Sequence, residues 1–181
     1  MSSERIKVNS NFYLDEFVDP YTYFNYDDHG LQFVDERLFD QAQLLRYLYG
    51  KPVYINTWWK YYIEKKDKWD INHIIERIEE SRTLRKWSGI RTSRCDIGSR
   101  LSAHKLIHTG KGMAIDPKGN ELKFYSIIKE HAEVFYKLGL RRLESIKHTP
   151  GWLHMDLLER NTIKNSIRVV TPTSFSHYIK F

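Results

Sequence analysis

Gly112-Met113-Ala114-Ile115-Asp116, followed by Pro117-Lys118-Gly119-Asn120, is the stretch on which the fold turns. Small apolar residues end there on a carboxylate and are followed by turn formers, so the stretch reads as a short strand closed by a tight turn. Downstream, Leu122, Tyr125, Ile128, Ala132, Phe135 and Leu138 recur at helical spacing, and Gly139 follows as a stop, which predicts an inward-facing helix over 121–138. Leu140–Glu144, Trp152–Leu157 and Ile167–Val170 read as three further short strands. The tail Thr171–Phe181, with Phe175, Tyr178 and Phe181, is expected to pack on the domain. Upstream, Gly89–Thr92 reads as a short strand before a polar loop. Asp70 caps a helix over 70–82 that carries Ile71, Ile74, Ile75 and Ile78 on one face. Val53–Trp58 is β-branched and aromatic, a strand. Asp35–Tyr49 is an amphipathic helix stopped by Gly50 and Pro52. Asn11–Phe17 reads as a helical turn or edge segment packed by aromatics. Helices followed by short strands imply an α+β class. With no internal repeat and no Pro/Gly/Ser-rich linker, residues 1–181 read as a single domain.

Hydrophobic residues at 41% and charged residues at 29% are near the averages for globular chains, which excludes wholesale disorder. No apolar run reaches the ~18–20 residues needed to span a bilayer. Met1-Ser2-Ser3-Glu4-Arg5-Ile6-Lys7 lacks the apolar stretch of a secretory signal, so neither membrane insertion nor a signal peptide is expected. A single cysteine, Cys95, excludes an internal disulfide framework and a Cys-rich zinc site. The net charge of +6 suits an anionic partner, but Arg82, Arg85, Lys86, Arg91, Arg94 and Arg100 form only a loose stretch. No nucleic-acid motif is present, and specific nucleic-acid binding is not expected.

The residues able to do chemistry gather in Ser102-Ala103-His104-Lys105-Leu106-Ile107-His108, in Asp116, and in Trp152-Leu153-His154-Met155-Asp156. Two imidazoles and one carboxylate supply three ligands for Zn2+ and leave a fourth position for water, as in a catalytic rather than a structural zinc site. Water on such a metal becomes a nucleophile near neutral pH. On a strand, His154 and Asp156 share a face, so one can bind metal while the other orients it.

Ser-x-His, then Gly-x-Ala-x-Asp, then Trp-x-His-x-Asp resembles the zinc metallopeptidases of the D-Ala-D-Ala carboxypeptidase family, which includes the L-alanyl-D-glutamate endopeptidases of phage endolysins. Asn11–Phe17, Gly50-Lys51-Pro52-Val53-Tyr54-Ile55-Asn56 and Ser88-Gly89-Ile90-Arg91-Thr92 resemble further segments of that family, so the likeness runs from residue 11 to about 160. It implies a Hedgehog/DD-peptidase-like fold, a small central antiparallel sheet flanked by helices. It also implies zinc held by His104, Asp116 and His154, and Ser102 and Arg91 on the substrate, Arg91 at its carboxylate or at the developing oxyanion. The chain departs from the family pattern twice. The family's first His stands seven residues before its Asp; here His104 stands twelve before Asp116 and His108 eight before it. His104 keeps Ser102 two residues upstream and needs a longer insertion, while His108 needs one inserted residue and puts Leu106 at the Ser position. His104 is preferred, with His108 the alternative. Many members also carry a Glu three residues before the distal His, where this chain has Gly151. Glu144 becomes the candidate general base if strands 140–144 and 152–157 form a hairpin, with His148 a weaker candidate.

The expectation is therefore a zinc-dependent hydrolase, a metallopeptidase cutting the stem peptide of bacterial peptidoglycan. It would be bacteriophage-encoded, held in the host cytoplasm until lysis or carried on the virion among other virion proteins. The alternative is an inactive virion structural or cell-wall-binding module on the same fold.

Overall fold

In the computed structural model, residues 5–80, 89–90, 102–106, 109–160, 163–171 and 174–181 are described. The chain opens on a 3-10 turn, Leu14–Glu16, whose flanking Phe12 and Phe17 are buried edge to face. Helix α1, Pro20–Tyr26, is capped by Asp19, which accepts a hydrogen bond from the amide of Thr22 at 3.2 Å. Helix α2, Arg37–Tyr49, buries Leu38, Ala42 and Leu45 along one face and ends at Gly50, whose left-handed φ of 69° closes it. Gln41, on the same face, donates to the carbonyl of Leu138 at 2.9 Å and ties α2 to the far half of the chain.

The expected strand at Val53–Trp58 is not one. Only Tyr54 makes a ladder contact, an antiparallel bridge to Lys118, and the chain then turns into helix α3, Trp58–Lys65. Tertiary contacts override the β-prone composition. Val53 and Ile55 are buried in the main core, and Trp58 donates through Nε1 to the carbonyl of Val18 at 3.0 Å. Trp58 then anchors a second, smaller cluster with Tyr23, Phe24 and Tyr62. Helix α4, Ile71–Glu80, starts as expected, with Asp70 accepting from the amides of Asn72 and His73 at 2.9 and 3.1 Å. Of Gly89–Thr92, Ile90 forms a parallel bridge to Val18, and Arg91 and Thr92 lie outside the described residues.

The long helix expected over 121–138 is two helices. Helix α5, Glu121–Glu130, is capped by Asn120 on the amide of Lys123 at 3.0 Å, and helix α6 spans Ala132–Lys137. They meet at His131, where φ −111° and ψ 30° leave the helical region. The buried face of α5 is Phe124, Ile127 and Ile128, whereas Leu122 is 65% exposed, so the expected inward position of Leu122 is corrected. Leu122 fits the same spacing, but the buried stripe runs through Phe124, Ile128, Ala132 and Phe135, and Phe124 packs edge to face on Tyr49 of α2.

Five strands make one sheet: β1 Ala114–Ile115, β2 Arg142–Glu144, β3 Met155–Asp156, β4 Ser166–Val170 and β5 Phe175–Lys180, in the order β1-β3-β2-β4-β5. The α+β class and the small single sheet are as expected. The β2/β4 pair is parallel, so the sheet is mixed rather than antiparallel throughout. The tail packs on the domain as β5, antiparallel to β4. Ile115, Leu143, Met155, Ile167, Val169 and Ile179 join the same buried cluster as Phe124, Ile128 and Phe135, so one sheet face is covered by apolar side chains. Gly112 lets β1 enter this core: a Cβ there would lie 2.3 Å from the side chain of Ile90. No helix among the described residues is long and apolar enough to cross a membrane.

Candidate metal centre

Side chains alternate between sheet faces, so the residues between the buried apolar ones point away from the core. The β1/β3 register pairs Ala114 with Asp156 and Ile115 with Met155, and the amide of Leu153 donates to the carbonyl of Pro117 at 2.9 Å. This pairing sets Asp116 opposite His154. On the other side of β3, the register pairs Arg142 with Asp156 and Leu143 with Met155, and the amide of Glu144 donates to the carbonyl of His154 at 3.1 Å. Asp116, His154 and Glu144 thus form one row across three adjacent strands, on the face opposite Ile115, Met155 and Leu143. The expected pairing of strands 140–144 and 152–157 is the β2/β3 pair.

His104 reaches the row from outside the sheet. The amide of Met113 donates to the carbonyl of Ala103 at 2.8 Å, fastening the 102–106 segment beside the start of β1. Ala103 is buried in the core, and the amide of His104 donates to the Ser102 hydroxyl at 3.3 Å. His104 Nε2 then lies 3.3 Å from Asp116 Oδ2 and 3.3 Å from His154 Nδ1, while His154 Nδ1 lies 2.9 Å from Asp116 Oδ1. The side chains of His104, His154 and Asp116 are 6%, 13% and 16% exposed. These three residues could hold a metal ion. Convergence of two imidazole nitrogens and a carboxylate on one point is what a cation requires.

The other edge of His154 is held from behind. Its Nε2 lies 3.0 Å from Asp156 Oδ2, while Asp156 accepts from the amide of Leu158 at Oδ1 (3.0 Å) and from Arg142 Nε at Oδ2 (2.7 Å). A carboxylate on one ring nitrogen fixes ring orientation and directs the other nitrogen to the metal. Burial disfavours the His154 imidazolium, but hydrogen bonds to Asp116 and Asp156 outweigh burial, and its pKa is pushed up to about 10. Burial would raise Asp116, yet His104 and His154 hold it well below the usual carboxylate range; His154 and Arg142 likewise lower Asp156 against its burial. The metal-free cluster is thus an imidazolium between two carboxylates, and a metal entering it displaces that proton.

Of the residues singled out in the sequence, the structure brings His104, Asp116 and His154 together. Glu144 is in the same row, and Ser102 touches the site through the His104 backbone. Arg91 and His108 lie outside the described residues. Arg142 escaped the sequence reading. Its signal was period two: it stands two residues before Glu144 on a strand, and so on the face of His154 and Asp156. No family model matches the chain, and no curated protein or solved structure matches it either.

Proposed function

We propose that this chain is a zinc-dependent peptidase that hydrolyses a peptide bond in the stem peptide of bacterial peptidoglycan. The observation that carries the proposal is the convergence of His104 Nε2, His154 Nδ1 and the Asp116 carboxylate beside Glu144. The donor set fits zinc. His104, His154 and Asp116 would hold the ion through two imidazole nitrogens and a carboxylate, a donor set that zinc takes. Three protein ligands leave one position open, the mark of a catalytic site. The motif resemblance to the D-Ala-D-Ala carboxypeptidase family supports the peptidoglycan substrate, and with it a phage source and a role at lysis or on the virion.

When bound, zinc supplies Lewis-acid polarisation of the scissile carbonyl and acidifies the attacking water. The protein residues do the rest. Asp156 holds the His154 ring through Nε2, Asp116 faces both imidazoles, and Glu144, opposite His154, takes the proton from water as its oxygen adds to the carbonyl carbon. Glu144 then returns that proton to the nitrogen as the C–N bond breaks, releasing a carboxylic acid and an amine, between which the remaining acid proton passes to leave a carboxylate and an ammonium.

A second reading is an inactive virion structural or wall-binding module, favoured by Gly151 standing where many relatives carry a Glu and by the twelve-residue spacing from His104 to Asp116. Zinc content by elemental analysis tests the metal first, on wild type, His104→Ala, His108→Ala and His154→Ala. About one zinc per chain is expected, lost in His104→Ala and His154→Ala and kept in His108→Ala. Assay on purified peptidoglycan follows. Zinc retention without released stem-peptide ends would select the inactive module, and a zinc-free wild type after zinc is supplied would overturn the peptidase reading and leave a structural module.

A further inference from the structure

The two imidazoles of the cluster are not supported alike. On the side away from the cluster, His154 Nε2 lies 3.0 Å from Asp156 Oδ2, and the Arg142 guanidinium donates from Nε to the same oxygen at 2.7 Å. The amide of Leu158 donates to Asp156 Oδ1 at 3.0 Å, so both oxygens are held. His104 Nδ1 is buried and has no hydrogen-bond partner among the described residues. Of the two rings, only His154 is backed by a carboxylate. Arg142 reaches Asp156 because the β2/β3 register sets them opposite one another. Neighbouring arginines are used differently. Arg141 reaches Glu159 and the carbonyls of Tyr136 and Leu140, and Arg168, opposite Arg142 on β4, donates to the carbonyl of Arg160 at 3.0 Å.

The Asp156 side chain is 0% exposed and that of Arg142 is 21% exposed. A carboxylate buried so deeply needs a cation beside it. Among the described residues two stand within ion-pair distance, Arg142 and His154. An imidazole that ligates a metal carries no charge, so with a metal in place Arg142 is the cation of these two that remains. Resting on the metal site of the peptidase reading above, we propose that Arg142 is a positioning residue: it neutralises and pins Asp156, which holds the His154 ring with Nδ1 toward the metal, and so sets how tightly zinc is held without touching the ion. The sign of the effect separates this role from bare charge. Removing a positive charge near a bound cation would by Coulomb's law alone tighten zinc. Releasing Asp156 from behind His154 weakens it.

The test is the zinc affinity of the full-length chain, read at one fixed pH by competition with a chromophoric chelator, so that no turnover is needed. The proteins are wild type, Arg142→Gln, Arg142→Lys, Asp156→Asn and the double variant carrying Arg142→Gln with Asp156→Asn. Arg142→Gln is expected to bind zinc about 10–100-fold more weakly than wild type. Arg142→Lys, which keeps the charge and loses the planar guanidinium, is expected to lie between the two. Because Arg142 acts through Asp156, the double variant is expected to bind no more than about 3-fold more weakly than Asp156→Asn alone. Thermal melts of the metal-free proteins establish that each variant folds; if Arg142→Gln does not, Arg142→Lys decides alone. Zinc affinity that is unchanged or raised in the Arg142 variants, losses that simply add in the double variant, or a wild type without zinc affinity overturns the proposal. The expected order of affinities in a chain that cuts no stem peptide would instead overturn the peptidase reading and leave the role of Arg142 standing.

Discussion

At Arg5, Asp15 and Glu16 buried charges close on one another, whereas at His104, Asp116 and His154 they converge on a shared point. Arg5 gives Nε and Nη2 to the two oxygens of Asp15, both at 2.6 Å, and its faces are covered by the Tyr13 and Trp59 rings at 4.0 and 3.9 Å. Glu16 lies 3.7 Å from the same guanidinium and accepts from the amide of Tyr13. Both carboxylates there face the guanidinium, so the cluster latches the N-terminal segment to α3. In the second cluster, two ring nitrogens and a carboxylate crowd together with no side-chain cation other than a protonated imidazole between them. Buried charge alone does not mark a site; unshared lone pairs aimed at one point do.

The contrast breaks most sharply at Glu144. Glu144→Gln is expected to lower hydrolysis of peptidoglycan by ~10²–10⁴-fold while zinc content holds, because it removes the proton carrier and leaves all three ligands. Equal loss of zinc and activity would place Glu144 in the metal set and erase the distinction drawn here. Next in size, Arg5→Ala leaves two buried carboxylates facing one another and is expected to cost about 2–4 kcal/mol of stability, less than a fully buried pair because Arg5 is 20% exposed. Urea denaturation reads this, and zinc content of the folded fraction should not change.

Glu16 sharpens the comparison through pH. Burial, followed by the neighbouring Asp15 charge, pushes its pKa up to about 7 from an ordinary 4.5. A carboxyl raised on folding holds its proton longer in the native state, so its contribution to stability falls as pH rises from 4.5 through about 7. Glu16→Gln is therefore expected to be the more stable protein above neutrality, by about 2–3 kcal/mol at most, and to match wild type near pH 4. Denaturation midpoints of the two proteins at pH 4.5 and 8 check the sign. The metal site carries a pH dependence of its own. In the metal-free chain His154 titrates near 10, so its stabilising charge is complete below 6.5 and is lost as pH rises through 10. A metal competes with that proton, so zinc affinity should rise about tenfold per pH unit from 6.5 upward, as competition with a chromophoric chelator would show. A flat profile would mean that His154 gives up no proton on binding.

Much of the scaffold was legible in the chain. Gly50 after a periodic run ended α2, Asp70 began α4, and the turn Pro117–Asn120 stopped where α5 begins, because caps and periodicity act within a turn or two of chain. The metal set was legible as residue types and as a motif resemblance. What local reading missed had tertiary causes: Val53–Trp58 has strand composition, but burial of Trp58 against Val18 and Phe24 bends it into α3, and packing on Tyr49 of α2 buries Phe124 in place of Leu122. Period two put Arg142 on the face of Glu144, but only the β2/β3 register puts it behind Asp156.

The amino-acid sequence by itself determined where α2 ends and α4 begins, and which side chains could ligate a metal, since these depend on neighbours within a few positions. Tertiary structure alone decided which of those side chains meet. His104 and His154 are 50 positions apart, and Asp116 and His154 are 38 apart. Their approach depends on strand register, on the Ala103–Met113 bond, and on the close contact that Gly112 permits with Ile90. Register is a property of paired backbones, and a slip of one residue would turn His154 to the opposite face, so no reading of either strand alone could supply it.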